Sequence, residues 1–318
     1  GPDLIRNSLA RGPATFMDGV QAWSLPWRIG RKEKKARKSM KYAFMSFSCP
    51  EYTFQEMAVL AVRFGYDGVE PRIDSGHNHG VERDASAAAR RQVRATAAEH
   101  GIEICCVATS CRFSDPGTVA ENVRQAREAI ALAADLGSPC IRVFGGALPE
   151  DVSRDEAIEQ VAAALGELAP AAAKAGVTVA LETHDDWCHP THVAAVMEKV
   201  ADPAVAVNWD VMHPVRRGGA TVEFAHRSLA PWIRHLHVHD GREKDGKVQF
   251  CEMGKGIVDH RTAIRCMVED GYEGYVSGEW IHWAEPVDIY LPRERAMLRE
   301  YEREARSHDG SAANRPRK

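Results

Sequence analysis

Between residues 40 and 307, short apolar runs rich in Val, Ile, Phe and Tyr alternate with longer Ala-rich, charge-bearing segments of helical period. The short runs predict strands over 42–47, 67–73, 102–108, 140–144, 177–183, 205–210, 233–239 and 274–280. The longer segments predict helices over 53–64, 85–100, 154–175, 192–200, 222–229, 260–269 and 293–306, with one more from after Asp115-Pro116 to Gly137. Gly101, Gly137 and Gly176 stop three of these helices, where the left-handed C-cap suits glycine. Alternating units of this kind imply a parallel sheet. Eight of them in about 250 residues imply an α/β fold, a closed (β/α)8 TIM barrel forming a single domain. A doubly wound open sheet is the alternative, but no G-x-G-x-x-G opens the first helix.

Composition narrows the class. The chain has 318 residues, 44% hydrophobic and 27% charged, with a formal net charge of −4. That excludes a disordered, collagen-like or coiled-coil chain and argues against a surface built to grip phosphate backbones. No apolar run approaches the ~20 residues of a membrane span. The eight cysteines form no C-x-x-C pair and read as reduced, mostly buried thiols of a cytoplasmic protein. Residues 1–39 lack an apolar period and carry a basic run, Arg31-Lys32-Glu33-Lys34-Lys35-Ala36-Arg37-Lys38. They read as an irregular, solvated N-terminal extension ahead of the barrel at 40–307, with a nucleic-acid or targeting tail as the alternative. No apolar segment follows the charges, as a signal peptide would require. Residues 308–318 read as a disordered C-terminal tail.

A barrel places its active site at the C-terminal ends of its strands, and side chains alternate inward and outward along each strand. Val179 and Leu181 suit the helix-facing side, so Glu182 and His184 share the inner side. Val207 and Trp209 pack outward, which turns Asn208 and Asp210 inward. Leu236 and Val238 likewise leave His235, His237 and His239 on one side, and Tyr275, Ser277 and Glu279 share the inner side of the last strand. Glu182, Asp210, one histidine and Glu279 therefore converge at one rim. Three crowded carboxylates repel, and a divalent cation neutralises them and gives their oxygens a partner. Oxygen-rich ligation with one imidazole suits Mn²⁺, Mg²⁺ or Co²⁺, and Zn²⁺ less strongly. His237 is the expected ligand, because His235 lies one pleat deeper and His239 one pleat higher.

At these residues the chain resembles the xylose isomerase-like barrel superfamily, the sugar phosphate isomerase/epimerase group. The likeness is carried by Ala180-Leu181-Glu182-Thr183-His184, Asn208-Trp209-Asp210-Val211-Met212-His213, His235-Leu236-His237-Val238-His239-Asp240 and Ser277-Gly278-Glu279-Trp280. Gly68-Val69-Glu70 and Gly254-Lys255-Gly256 add to it. The resemblance implies one divalent metal ion, Mn²⁺ first, on Glu182, Asp210, His237 and Glu279. It implies that His213 reaches the substrate or a second metal. It also implies that Glu182 and Glu279 are the catalytic pair, moving a proton through a metal-stabilised enediolate of a ketose or related polyhydroxy carbonyl compound. Return of the proton to the opposite face gives epimerisation, return to the neighbouring carbon gives isomerisation, and loss of a β-hydroxyl gives dehydration, as in the inosose dehydratases the chain also resembles.

Further substrate-pocket candidates are His184, Trp187, Arg142 and Glu70. Trp187 reads equally as core packing and Arg142 equally as a partner of an acid such as Glu70, while Glu70 reads rather as structural. Arg216, Arg217, Arg242 and Lys255 read as scattered surface cations rather than a phosphate grip, and Gly254-Lys255-Gly256 as a turn. Endonuclease IV-type DNA repair enzymes of the same superfamily are the competing reading. They need further histidines on strands two and three and an Asp-x-His after strand seven, for which only the loop residues His77 and His79 stand in. A third reading is a non-catalytic metal-binding subunit of a complex acting on 3-keto-glycosides. The expected partner is a small-molecule substrate, with no membrane and no nucleic acid, and a homo-oligomer remains open.

Overall fold

A computed structural model describes residues 39–281, 283 and 285–312. The expected extension therefore lies outside the described residues apart from Ser39, as do residues 313–318. Strands β1 (Lys41–Met45), β2 (Gly68–Glu70), β3 (Glu103–Ile104), β4 (Val107–Arg112), β5 (Cys140–Phe144), β6 (Thr178–Glu182), β7 (Val205–Asp210) and β8 (Ile233–Val238) are followed by β9 (Asp240–Lys244), β10 (Lys247–Cys251) and β11 (Tyr275–Gly278). Nine of them form one parallel sheet in the order β3-β2-β1-β11-β8-β7-β6-β5-β4, while β9 and β10 make an antiparallel hairpin. Helices α1 (Phe54–Phe64), α2 (Ala87–His100), α3 (Val119–Leu136), α4 (Arg154–Ala175), α5 (Pro190–Val200), α6 (Met212–Arg216), α7 (Val222–Leu229), α8 (His260–Glu269) and α9 (Val287–Ala312) follow the strands in turn. This is the expected α/β TIM barrel, nearly closed.

Local chemistry fixes the element ends. Thr53 with Glu56 and Ser153 with Glu156 form capping boxes that satisfy the first amides of α1 and α4. Gly101, Gly137 and Gly176 close α2, α3 and α4 in the left-handed conformation.

The third strand is not continuous. Pro71 has no amide to donate, so the ladder between the second and third strands breaks beside it. β3 pairs with β2 and β4 pairs with β5. The seam between them is held by an Arg72–Ala108 bridge and by hydrogen bonds from Cys105 N to Val69 O (3.0 Å) and Ala108 N to Pro71 O (3.0 Å). The hairpin was absent from the sequence expectation, although Asp245-Gly246 carries its signal. Both residues have positive φ, 51° and 72°, as a two-residue Asp-Gly hairpin turn requires. α9 begins ahead of Pro292 rather than after it, and runs through Ala312 into the expected tail.

The interior of the barrel is filled low down by Ala43, Cys105, Cys106, Cys140, Ala180 and Tyr275, all buried. All eight cysteines are free thiols, and seven are buried. Burial pushes the Cys49 and Cys188 thiols up to about 12, which leaves them poor nucleophiles. Among the described residues no helix is long and apolar enough to cross a membrane.

Trp187, expected either to stack on a sugar or to pack under its loop, is fully buried; its indole N–H donates to Ser114 Oγ at 2.9 Å. Its ring occupies the space beside Gly145, where an added Cβ would lie 2.2 Å from Trp187 Cδ1. Gly145→Ala should therefore destabilise the barrel by about 1–3 kcal/mol through overpacking. The shift of the urea midpoint at constant m-value measures it, and an unshifted midpoint would mean that the ring is free to move.

Candidate metal centre

Successive strand ends carry the site. Register sets Glu182 on β6 beside Asn208 on β7, Asp210 on β7 beside His237 on β8, and His237 beside Ser277 on β11. Glu279 follows β11, its amide bonded to Val238 O at 3.0 Å. One ligand atom from each of Glu182, Asp210, His237 and Glu279 lies within 4.8 Å of every other, and all four residues are buried. Buried carboxylates at this spacing need a positive partner. Glu182 Oε2 and Asp210 Oδ2 are buried and make no aligned hydrogen bond; each has one ion-pair contact, from Arg142 Nε at 3.0 Å and His239 Nε2 at 2.9 Å. The donor set, three carboxylates and one imidazole, fits a divalent cation of the Mn²⁺ or Mg²⁺ type and also accommodates Zn²⁺.

Each of these side chains is held from behind. Arg142, 1% exposed on β5, sets its Nε 3.0 Å from Glu182 Oε2 and donates from Nη1 to Thr109 O at 3.0 Å. Burial would raise the Glu182 carboxyl, but Arg142 and then His237 outweigh it and hold it at about 2. Arg142 thus partners Glu182 rather than Glu70. Asp210 Oδ1 accepts from the amides of Met212 (2.8 Å) and His213 (3.2 Å), which fixes its carboxylate at the start of α6. Despite burial, Asp210 is held well below the usual carboxylate range by His239 and His213. Glu279 is raised by burial and by Glu182 and Asp210, against the pull of His237 and His239. Burial would lower His237, yet Glu70 and Glu182 drive it well above the usual imidazole value.

Glu70 is fully buried, with Oε2 2.8 Å from His235 Nε2 and Oε1 3.0 Å from His237 Nε2. His213 stands on α6 with Nε2 3.9 Å from Asp210 Oδ2. His184 pairs through Nδ1 with Asp185 Oδ1 at 2.9 Å, and its ring lies 4.3 Å from that of His213 and 4.8 Å from Phe144. These rings continue through His239, 5.5 Å from His213, to Phe250 of the hairpin, stacked on His239 at 5.4 Å. One wall of the mouth is therefore a row of aromatic rings, three of them imidazoles.

His239 and Asp240 went unassigned in the sequence. His239 is buried, with Nε2 2.9 Å from Asp210 Oδ2. Asp240, also buried, accepts from the amides of Gly241, Gly254, Gly256 and Val258 at 2.9–3.2 Å. An added Cβ on Gly256 would lie 2.0 Å from Asp240 Oδ1. Gly254-Lys255-Gly256 is thus a backbone cradle for Asp240, and it pins the hairpin to the rim. The Asp directly after H-x-H, with a Gly-x-Gly downstream, was the available signal.

The surface cations are engaged locally: Arg216 with Glu243, Arg217 with Asp186 at 4.0 Å, Arg242 with Lys255 O at 2.6 Å, and Lys255 with Glu252 at 3.7 Å. His77 Nδ1 meets Ser46 Oγ at 2.8 Å. His79 bonds Arg72 O and Val81 N through its two ring nitrogens, both at 3.0 Å. Neither joins a metal-ligand group among the described residues.

Known proteins can be set beside this geometry. An uncharacterised protein from Methanocaldococcus jannaschii is 25% identical over 183 residues, taking in 52% of this chain and 61% of that protein, less than two thirds of its length. L-ribulose-5-phosphate 3-epimerase UlaE from Salmonella paratyphi C is 26% identical over 237 residues, 71% of this chain and 82% of that protein. Three solved structures share the fold. An L-ribulose 3-epimerase has a TM-score of 0.71 at 18% identity, over 88% of this chain and 100% of its own. The probable 3-DHS dehydratase AsbF from Bacillus anthracis has a TM-score of 0.68 at 20% identity, over 82% and 99%. The IolI protein, solved with a zinc atom, has a TM-score of 0.69 at 17% identity, over 84% and 98%. A family profile spans residues 58–301, most of the barrel, and by it the chain belongs to the xylose isomerase-like TIM barrel family.

Proposed function

We propose that the chain is a divalent-metal-dependent epimerase or isomerase of a ketose or related polyhydroxy carbonyl compound. The observation that carries this reading is the convergence of the Glu182, Asp210, His237 and Glu279 ligand atoms within 4.8 Å in a buried group at the strand ends. Similarity to a curated L-ribulose-5-phosphate 3-epimerase supports epimerisation ahead of dehydration. The four residues would hold the cation, which when bound supplies Lewis-acid polarisation of a carbonyl and its adjacent hydroxyl.

The chain's own groups do the rest. Glu182, kept anionic by Arg142 at 3.0 Å, takes the proton from the carbon next to the carbonyl. Glu279 delivers a proton from its own side of the substrate, and return to the face opposite the one attacked inverts that carbon. His213 and His184 offer ring N–H groups to the substrate hydroxyls. The aromatic wall from Phe144 to Phe250 limits water at the reacting carbon. Dehydration would need the same carboxylates and a β-hydroxyl leaving group, so the product names the reaction.

A panel of ketoses, keto-inositols and 3-keto-glycosides in deuterated water with Mn²⁺ should give one substrate whose α-carbon takes up deuterium. Glu182→Gln and Glu279→Gln should each lower turnover and uptake by about 10²–10⁴-fold while circular dichroism stays that of the barrel. Turnover like that of the unaltered protein in either variant would overturn the two-carboxylate mechanism.

Removal of metal by a chelator should abolish uptake, and Mn²⁺ should restore it. Mn²⁺ at about 100 times its Kd should also stabilise the folded chain by about 2.7 kcal/mol. Activity and melting temperature both indifferent to chelator and metal would end the metal-dependent reading.

A further inference from the structure

Glu70 sits on β2, separated from β8 in the sheet by β1 and β11, yet it reaches across the interior to two histidines of β8. Each of its oxygens takes one imidazole: Oε2 that of His235 at 2.8 Å, Oε1 that of His237 at 3.0 Å. A carboxylate there only accepts, so the His237 Nε2 carries its hydrogen and donates it. In the protonated ring Nδ1 carries a hydrogen too, toward Glu182 Oε1; once the ring is neutral, Nε2 keeps its hydrogen against Glu70 and the lone pair falls, beside the Asn208 donor, on Nδ1. That nitrogen faces the cluster, 3.1 Å from Glu182 Oε1 and 3.7 Å from Glu279 Oε2, and Asn208 Nδ2 approaches it at 3.1 Å as a donor. The opposite tautomer would set a lone pair against Glu70 and aim an N–H at the space the three carboxylates share.

We infer that Glu70 is a positioning residue: held on its other oxygen by His235, its carboxylate fixes His237 in the tautomer and ring orientation that present Nδ1 to a divalent cation. Glu70 is 0% exposed, and both its oxygens are taken by imidazoles, so no face remains for a substrate hydroxyl. Its proposed role thus moves from substrate contact to support of a ligand. The tautomer of the neutral ring rests on Glu70 at Nε2 and Asn208 at Nδ1 together outweighing Glu182 at Nδ1; its consequence for metal binding rests on the proposed function. A second group of ligand atoms within 4.8 Å, Glu70 with Cys105 and His235, offers the rival role of a separate buried cation site.

Long-range proton–nitrogen correlation spectra of histidine-labelled protein, recorded without metal at alkaline pH, read the tautomer directly; His237→Gln assigns the resonance. The inference predicts a hydrogen on Nε2 of His237 in the unaltered chain and its loss or mixing in Glu70→Met. Mn²⁺ titration against a competing chelator should then show one ion per chain. Binding should be weakened about 10–100-fold in Glu70→Gln, which keeps one acceptor and the barrel fold, and at least as much in Glu70→Met. A neutral His237 ring with its hydrogen on Nδ1 rather than Nε2 in the unaltered chain overturns the inference, as does unchanged affinity in both variants. So does a second ion per chain that Glu70→Gln alone removes, since that assigns Glu70 to a cation with Cys105 and His235. If the unaltered chain shows the Nε2 hydrogen but binds no Mn²⁺, the tautomer is upheld and the metal-dependent function is what falls.

Discussion

Buried negative charge at the mouth of the barrel governs the rest of the site. Glu70, Glu182, Asp210 and Glu279 are all buried within one connected cluster, with the Arg142 guanidinium set beside Glu182. Burying a carboxylate is costly unless it is paired, and removing a partner leaves that cost exposed. The cluster answers with imidazoles, amides and the Arg142 guanidinium, yet three carboxylates still share the space around His237. A cation in that space would compensate the remaining charge.

The barrel delivers these groups because parallel strands end together. Consecutive register from β6 to β11 brings four metal-competent side chains to one level, and loops need to place only what lies above. The loops do so with backbone devices. The Asp210 carboxylate caps α6, and the Asp240 carboxylate, cradled by four amides, ties the hairpin that carries Phe250 against His239. The four candidate metal-binding side chains thus stand on or beside strands, and the aromatic wall stands on tied loops.

Much of this was legible as alternation of apolar and polar positions. Residues 140–144 and 205–210 emerge as strands with their expected bounds, because both are short runs between clear helix and turn signals. The third strand breaks where Pro71 removes a ladder donor from its neighbour, a cross-strand effect with no local signature. The hairpin was passed over because its strands carry Arg, Glu and Lys, and only Asp245-Gly246 marked it. Period two aligned Glu182, Asp210, His237 and Glu279. It also put His239 on the inner side, one pleat above His237, but did not reveal that His239 lies against Asp210. The partners of Arg142 and Glu70 depend on distances across the barrel, and one-dimensional pattern does not encode those.

The account's central claim is that one divalent cation sits on side chains from β6, β7, β8 and the end of β11. Anomalous scattering from crystals of the Mn²⁺-loaded protein tests it most directly. The account predicts a single strong peak per chain at about 2.0–2.3 Å from Glu182, Asp210, His237 Nδ1 and Glu279. No peak at that position, or a peak ligated by other residues with these four turned away, would contradict it.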